Sequence, residues 1–252
     1  MKIISWNVNG IRAVLKKGFS DFLEKENPDI LCIQETKAER EQLPSDFVCP
    51  PGYNIYWNAA ERKGYSGVAI FTRPVPKSVE TEFEVERFNN EGRILIADYD
   101  SFVLFNFYFP NGQKDDERLQ YKMDFNEQLL LELKRFQGRK ILICGDYNTA
   151  HHPIDLTHPK ANEKTSGFLP IERAWIDKLC ALGYTDTFRH FYPDTVKYSW
   201  WSYRMAARSR NVGWRIDYHF VNEELLPHVQ NAFILNEVMG SDHCPVGVEL
   251  SI

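Results

Sequence analysis

Short apolar runs broken by glycine, longer stretches with helical spacing, and polar residues recurring just past the ends of the runs together predict an α/β fold in a single domain, residues 1–252. Lys140 to Ala150, KILICGDYNTA, shows the construction most plainly. Ile141 to Cys144 has the length and composition of a buried strand, Gly145 ends it, and Asp146 and Asn148 fall just beyond. An aspartate so placed ordinarily forms a turn or caps a helix. The same construction nevertheless recurs along the chain. Ile3 and Ile4 lead into SWNVNG with Asn7 and Asn9, Ile30 to Ile33 into QETK with Glu35, and Phe102 to Phe107 into YFPNG with Tyr108 and Asn111. Ile216 is followed by Asp217 in RIDYHFV, and GSDHCPV sets Asp242 and His243 beside an apolar tail. Because these residues run from Asn7 to His243, a cut into two domains would divide one site.

The other elements follow in order. Phe19, Phe22 and Leu23 have the spacing of a short amphipathic helix, with Ser20 or Asp21 near its start and Pro28 past its end. Lys37 to Pro51 is charged and proline-punctuated, a loop with room for one helical turn. Tyr53 to Arg73 reads as two short strands joined by AERKGYSG, in which Gly64 and Gly67 signal the turn. Val79 to Val85 and Ile94 to Tyr99 are predicted strands, and Phe102 to Tyr108 ends at a Pro-Asn-Gly turn. Asp115 to Gly138 is the longest predicted helix: Leu119, Met123, Leu130 and Leu133 share a stripe, the aspartates favour its start, and Gly138 suits its stop. His151 to Phe168 is predicted to be a polar loop, too long to serve only as a connection. Pro170 to Leu182 is again helical, with proline in the first turn and Gly183 after the last, and short strands and loops complete the chain.

Hydrophobic residues at 43% and charged residues at 26% suit a globular protein. No apolar run nears the ~20 residues of a spanning helix, and Met1 and Lys2 run straight into a strand-like segment. A soluble, cytoplasmic protein without a secretion signal or membrane contact is expected. Five cysteines without a CxxC spacing argue against a disulfide framework and a zinc site, and Cys32 and Cys144 fall inside core-like runs. A net charge of -5 speaks against nucleic-acid binding unless positive charge is concentrated locally. Tyr198 to Arg215, YSWWSYRMAARSRNVGWR, offers such a concentration: Trp200, Trp201, Tyr203 and Trp214 alternate with Arg204, Arg208, Arg210 and Arg215, and no acid intervenes. Rings and guanidinium groups in that pattern suit stacking on bases or sugars and pairing with phosphates.

Carboxylates brought together away from water need a compensating cation. Glu35, with Asn7, Asp146, Asn148 and Asp242, supplies oxygen donors and no sulfur, which points to Mg2+ or Mn2+. Such a site suits phosphodiester hydrolysis. Asp146 and Asn148 would orient and deprotonate water, His243 held by a carboxylate such as Asp217 would donate to a phosphate oxygen, and Tyr108 and Asn111 would add hydrogen bonds to the phosphate or leaving group.

The motifs ISWNVNGIRA, DILCIQETK, GYSGVAIF, YFPNG, ICGDYNTAH, the stretch from Ile154 to Phe168, WWSYR through NVGWRIDY, and MGSDHCPV resemble the exonuclease III family of abasic-site endonucleases, in the endonuclease/exonuclease/phosphatase superfamily, over essentially the whole chain. The resemblance implies a four-layered α/β sandwich, two packed mixed sheets flanked by helices. It implies cleavage 5′ to an abasic site in duplex DNA to leave a 3′ hydroxyl, with 3′–5′ exonuclease and 3′-phosphatase activities and action on blocked 3′ ends, by a nucleoid-associated monomer. Carried over by motif, Glu35 holds the metal with Asn7 and Asp242 nearby. Asp146 and Asn148 handle the water, Asp217 and His243 pair at the phosphate with either Asp146 or His243 as the base, and Tyr108 and Asn111 assist. Trp200, Trp214 and Ile216 match the pocket for the flipped sugar, and Arg12, Tyr65, Asn162, Lys164 and Arg204 match positions that grip or penetrate DNA. Asn9 stands where some relatives carry a metal-holding aspartate, and His219 where relatives usually have an apolar residue. A superfamily phosphatase acting on inositol phosphates or lipid headgroups is the alternative; it has no need of the Trp-Trp-Ser-Tyr-Arg stretch.

Overall fold

A computed structural model describes residues 1–44 and 52–252. Its strands are β1 (Lys2–Asn7), β2 (Ile30–Gln34), β3 (Asn54–Asn58), β4 (Val68–Thr72), β5 (Ser78–Glu80), β6 (Ile94–Asp98), β7 (Val103–Tyr108), β8 (Ile141–Asp146), β9 (Thr185–Asp186), β10 (Asp217–Val221), β11 (Val229–Ile234) and β12 (Val246–Leu250). They form two six-stranded sheets, ordered β11-β12-β1-β2-β4-β3 and β5-β6-β7-β8-β10-β9. The β1–β2 and β7–β8 pairs are parallel and the remainder antiparallel, so both sheets are mixed. Each parallel pair needs a helical crossover. The short helices α1 (Ile11–Leu15) and α2 (Phe19–Glu26) provide the first, and α3 (Asp116–Lys134) the second. Three more helices, α4 (Pro159–Asn162), α5 (Pro170–Ala181) and α6 (Thr187–Phe191), complete those among the described residues, none of which is long and apolar enough to cross a membrane.

The core is layered as a period of two requires. Leu142 and Cys144 of β8 face the other sheet, whereas Ile141 and Ile143 pack under α3 and α5 with Leu129, Trp175 and Leu179. In the opposite sheet Ile3, Ile30 and Cys32 face inward, and Leu31 and Ile33 meet Phe19 and Phe22 of α2. Both faces of each sheet are therefore covered, which gives the expected four-layered sandwich and makes the central strands read as unbroken apolar runs.

Some elements differ from the sequence expectation. The strand expected over Val79 to Val85 stops at Glu80, because the Asn89 amide takes both backbone groups of Phe83, accepting from its N–H at 2.8 Å and donating to its carbonyl at 2.9 Å. The helix expected to Gly138 ends at Lys134. His151 to Phe168 is not all loop: Pro153 opens a 3-10 turn and Pro159 opens α4. The Lys37 to Pro51 loop has its one turn at Arg40–Gln42, and residues 45–51 lie outside the described residues.

Candidate active site

At one end of the sandwich the inward-facing alternation turns polar. One step above the apolar layer, Gln34 donates to Ser5 at 2.9 Å and to Asn106 at 2.7 Å, so the two sheets are joined there by buried hydrogen bonds. The next inward positions are Asn7 on β1, Tyr108 on β7, Asp146 on β8 and Asp217 on β10. Register sets Asp146 opposite both Tyr108 and Asp217. Gly145 makes this level possible, because at its φ of 138° a Cβ would lie 1.8 Å from the Phe107 carbonyl oxygen. Glu35 and Asn148 sit just past their strands in the left-handed region, at φ 53° and 49°, a conformation that turns both side chains into the site.

The side chains meet closely. The Asn7 amide donates to Glu35 and to Asp146, each at 2.9 Å, and so bridges two carboxylates. Glu35 also pairs with Lys37 at 2.7 Å, and Lys37 donates to Asn9 as well. His243 Nδ1 lies 2.8 Å from Asp217, its Nε2 lies 3.7 Å from Asp146, and the Ser199 hydroxyl holds Asp217 at 2.6 Å. Asn148 donates its backbone N–H to Asp146 at 2.8 Å, and Asn111 donates to the Asn148 side chain at 3.1 Å.

Burial disfavours a charged His243, but the Asp217 and Asp146 carboxylates outweigh it and raise the imidazole well above its ordinary value. Burial raises Asp146 as well, with Asp217 and Glu35 adding and His243 opposing. Glu35 is kept low: burial acts against its charge, and Lys37 and Asn7 overcome it. Burial, then Glu35, pushes the Tyr108 phenol up, so its hydroxyl stays a donor. The site thus combines an imidazole whose neighbours favour its charged form, a Glu35 carboxyl held low and an Asp146 carboxyl pushed up.

A cleft of about 730 Å³ opens on this cluster, lined on its far side by Trp200, Arg204, Trp214, Ile216, Asn162 and Asp242. The Trp200 and Trp214 rings stand edge to face with centroids 6.4 Å apart, and Ile216 and Phe168 back them. Gly167 sits beside them at a φ of 100°, which side chains rarely adopt, and a Cβ there would crowd the Trp214 ring at 3.2 Å. Asp242 accepts from Asn9 at 2.9 Å and Trp200 at 3.1 Å, which places it on the slot side. Arg12 lies outside the cleft in a separate concavity with Lys16, Lys17 and Lys37, and Tyr65 in another with Arg62, Lys114 and Arg118. Lys164 is exposed on the segment between α4 and α5.

The acid-free arginine stretch is not the uniform basic face its composition suggested. Arg215 is fully buried, donating to Asp155 at 2.8 Å and Asp186 at 2.7 Å. Arg208 donates to the carbonyls of Ser241, Asn236 and Val238. Trp201 is a core residue, and only Arg204 of the four arginines lines the cleft. Local positive charge comes instead from the Arg12, Lys16 and Lys17 concavity. Sequence reasoning also missed the buried Lys122–Glu172 pair. Lys122 donates to the Asn148 carbonyl and to Glu172 at 2.8 and 2.6 Å, and Glu172 accepts from the Gly167 N–H at 2.6 Å, so one strut carries both Asn148 and the wall beside Trp214.

Among the described residues, Glu35, Asp146 and His243 offer ligand atoms within 4.8 Å of one another. Two of these three donors are carboxylates and none is a cysteine, which fits a hard divalent ion that needs only one or two protein carboxylates. The model of the endonuclease/exonuclease/phosphatase family matches residues 4–243. The chain belongs to this family. Its relatives include an exodeoxyribonuclease of Bacillus subtilis, 44% identical with all of both chains covered. Another is the DNA repair nuclease APEX1 of Danio rerio, 43% identical over all of this chain and 83% of that protein. Among solved structures, an AP endonuclease from Archaeoglobus fulgidus superposes with a TM-score of 0.90 at 29% identity, covering both chains fully. The family is one of metal-dependent hydrolases.

Proposed function

We propose that this chain is a DNA repair nuclease that hydrolyses the phosphodiester 5′ to an abasic site in duplex DNA and leaves a 3′ hydroxyl. The observation that carries the reading is the position of Asp146, between His243 at 3.7 Å and the Asn7-bridged Glu35, lining a cleft walled by Trp200, Trp214 and Ile216. Asp146 takes the proton of a water aligned by Asn148. The water oxygen attacks phosphorus, the bond to the upstream O3′ breaks, the departing O3′ takes a proton from solvent to become the hydroxyl, and His243, held by Asp217, hydrogen-bonds to a phosphate oxygen. The Asp217 and Asp146 carboxylates favour the protonated form of His243, which suits it to donate to the phosphate rather than to accept from the water. Tyr108 and Asn111 donate to the phosphate or the leaving oxygen. Mg2+, or Mn2+ in its place, held at Glu35 with Asp146 alongside, would neutralise charge on the phosphoryl group. Trp200, Trp214 and Ile216 accept a sugar without a base. Arg204, Asn162 and Lys164 hold the DNA on one side of the cleft, and Arg12 and Tyr65 on the other. In this reading blocked 3′ ends would present their phosphate at the same position, giving accompanying 3′–5′ exonuclease and 3′-phosphatase activity, and the protein acts as a monomer.

The test uses purified protein and end-labelled duplexes carrying an abasic analogue, a recessed 3′ end or uracil, with Mg2+ or with a chelator. Incision at the analogue in Mg2+ and none in chelator is expected. Turnover of inositol phosphates with the abasic duplex left intact would favour the phosphatase alternative, and binding without incision in Mg2+ would reject an enzyme.

A further inference from the structure

Arg93 sits just before β6, 2% exposed, and it is the largest buried cation that the reaction above leaves unused apart from the Arg215 anchor. Its guanidinium lies over the Tyr108 ring, 4.5 Å from the centroid, while Nη1 donates to the Tyr108 carbonyl at 2.9 Å. On its other side Nη2 donates to the Tyr65 hydroxyl at 2.9 Å. Nε donates to Glu91 at 2.5 Å. Glu91 is held in turn by Arg118 through bonds of 2.8 and 2.6 Å, and Arg118 also reaches the Tyr65 hydroxyl at 3.1 Å. One planar group therefore fixes both the backbone and the ring of Tyr108.

We propose that Arg93 is a positioning residue for hydrolysis, acting through Tyr108: stacking and the carbonyl bond together aim the Tyr108 hydroxyl at the Glu35 end of the cleft. The inference rests on the role given to Tyr108 above. The geometry calls for arginine in particular. Lysine, a point charge on a flexible stem, cannot lie flat on a ring while donating in three directions. Glu91 and Arg118 make the plane rigid, since a fork held at Nε by a carboxylate cannot rotate off the ring without breaking that bond. The strand frame alone does not do this. The backbone pairing of Tyr108 N–H with the Arg93 carbonyl, 3.0 Å, fixes where the strand ends but does not itself orient the ring. Tyr65 keeps its Arg118 bond if Arg93 is lost, so the effect should fall on turnover rather than on DNA affinity.

The experiment is a double-mutant cycle on abasic-duplex cleavage with Arg93→Lys, Tyr108→Phe and the double variant, each checked for wild-type melting behaviour. Glu91→Gln is the second route, since it loosens the fork and keeps the guanidinium. Arg93→Lys is expected to lower kcat about 10- to 100-fold while KM changes less than about threefold. In the Tyr108→Phe background the same change should cost no more than about threefold, because the group it aims is gone. Glu91→Gln should show the same dependence on Tyr108, with a smaller loss. Losses that multiply independently in the double variant, or a loss confined to KM, would overturn the proposal while leaving the nuclease reading intact. Wild-type turnover by Tyr108→Phe would remove the role of Tyr108, and the proposal with it.

Discussion

His219 stands in the middle of β10, opposite Cys144 on β8, 3% exposed and with no hydrogen-bond partner for Nε2. Burial lowers its pKa to about 3. In the unfolded chain the value returns to about 6.5. As pH falls below that value the unfolded state takes up a proton that the native state refuses, so stability is lost between the unfolded and the folded pKa and not above them. The slope within the window is about 1.4 kcal/mol per pH unit, and the loss from about pH 7 to about pH 5 integrates to roughly 2 kcal/mol. Replacing the imidazole by an apolar side chain of similar size, His219→Leu, removes the titration. Urea unfolding followed by tryptophan fluorescence at the two pH values should show the wild type losing roughly 2 kcal/mol more than the variant, with matching m-values. Parallel losses in the two proteins would refute the claim that His219 is held neutral, because every other titrating group is common to both.

Three further outcomes follow from particular contacts. Lys122→Met leaves the Glu172 carboxylate buried without its cation and should lower stability by about 3–5 kcal/mol in the same unfolding assay. Asp217→Asn removes a principal charge that raises His243, so the His243 imidazole should titrate lower in proton NMR of the metal-free protein, by more than about one unit. Trp214→Ala should weaken binding to abasic duplex by about tenfold or more while binding to intact duplex changes little, as read by competition in Ca2+; equal losses on both would count against the slot.

The sequence made the strand-end acids legible because buried central strands are apolar on both faces, so a polar residue at their ends stands out. Glu35, Asp146, Asp217 and His243 were accordingly visible, and the structure brings them together. Arg208 and Arg215 were misread for a related reason: the stretch around them holds no acid, yet Asp155 and Asp186, and the carbonyls that take Arg208, come from distant segments. Lys122, Glu172 and Arg93 left no local signal. The first two occupy ordinary helix positions and the third precedes a strand, and only the packing of α3 against α5 and the β6–β7 register reveal that they sit beneath the site. Asn89, which ends β5 early, acts from six residues away through a side-chain amide, which periodicity does not detect.

In the proposed reaction Asp146 does the proton transfer at a phosphodiester set between His243 and Glu35. Single-turnover cleavage of an end-labelled abasic duplex in Mg2+ by Asp146→Asn tests it most directly, because asparagine keeps the shape and loses the basicity. Cleavage about 10²- to 10⁴-fold slower, with DNA affinity retained, is the result expected; cleavage at the wild-type rate would show that Asp146 is not the base.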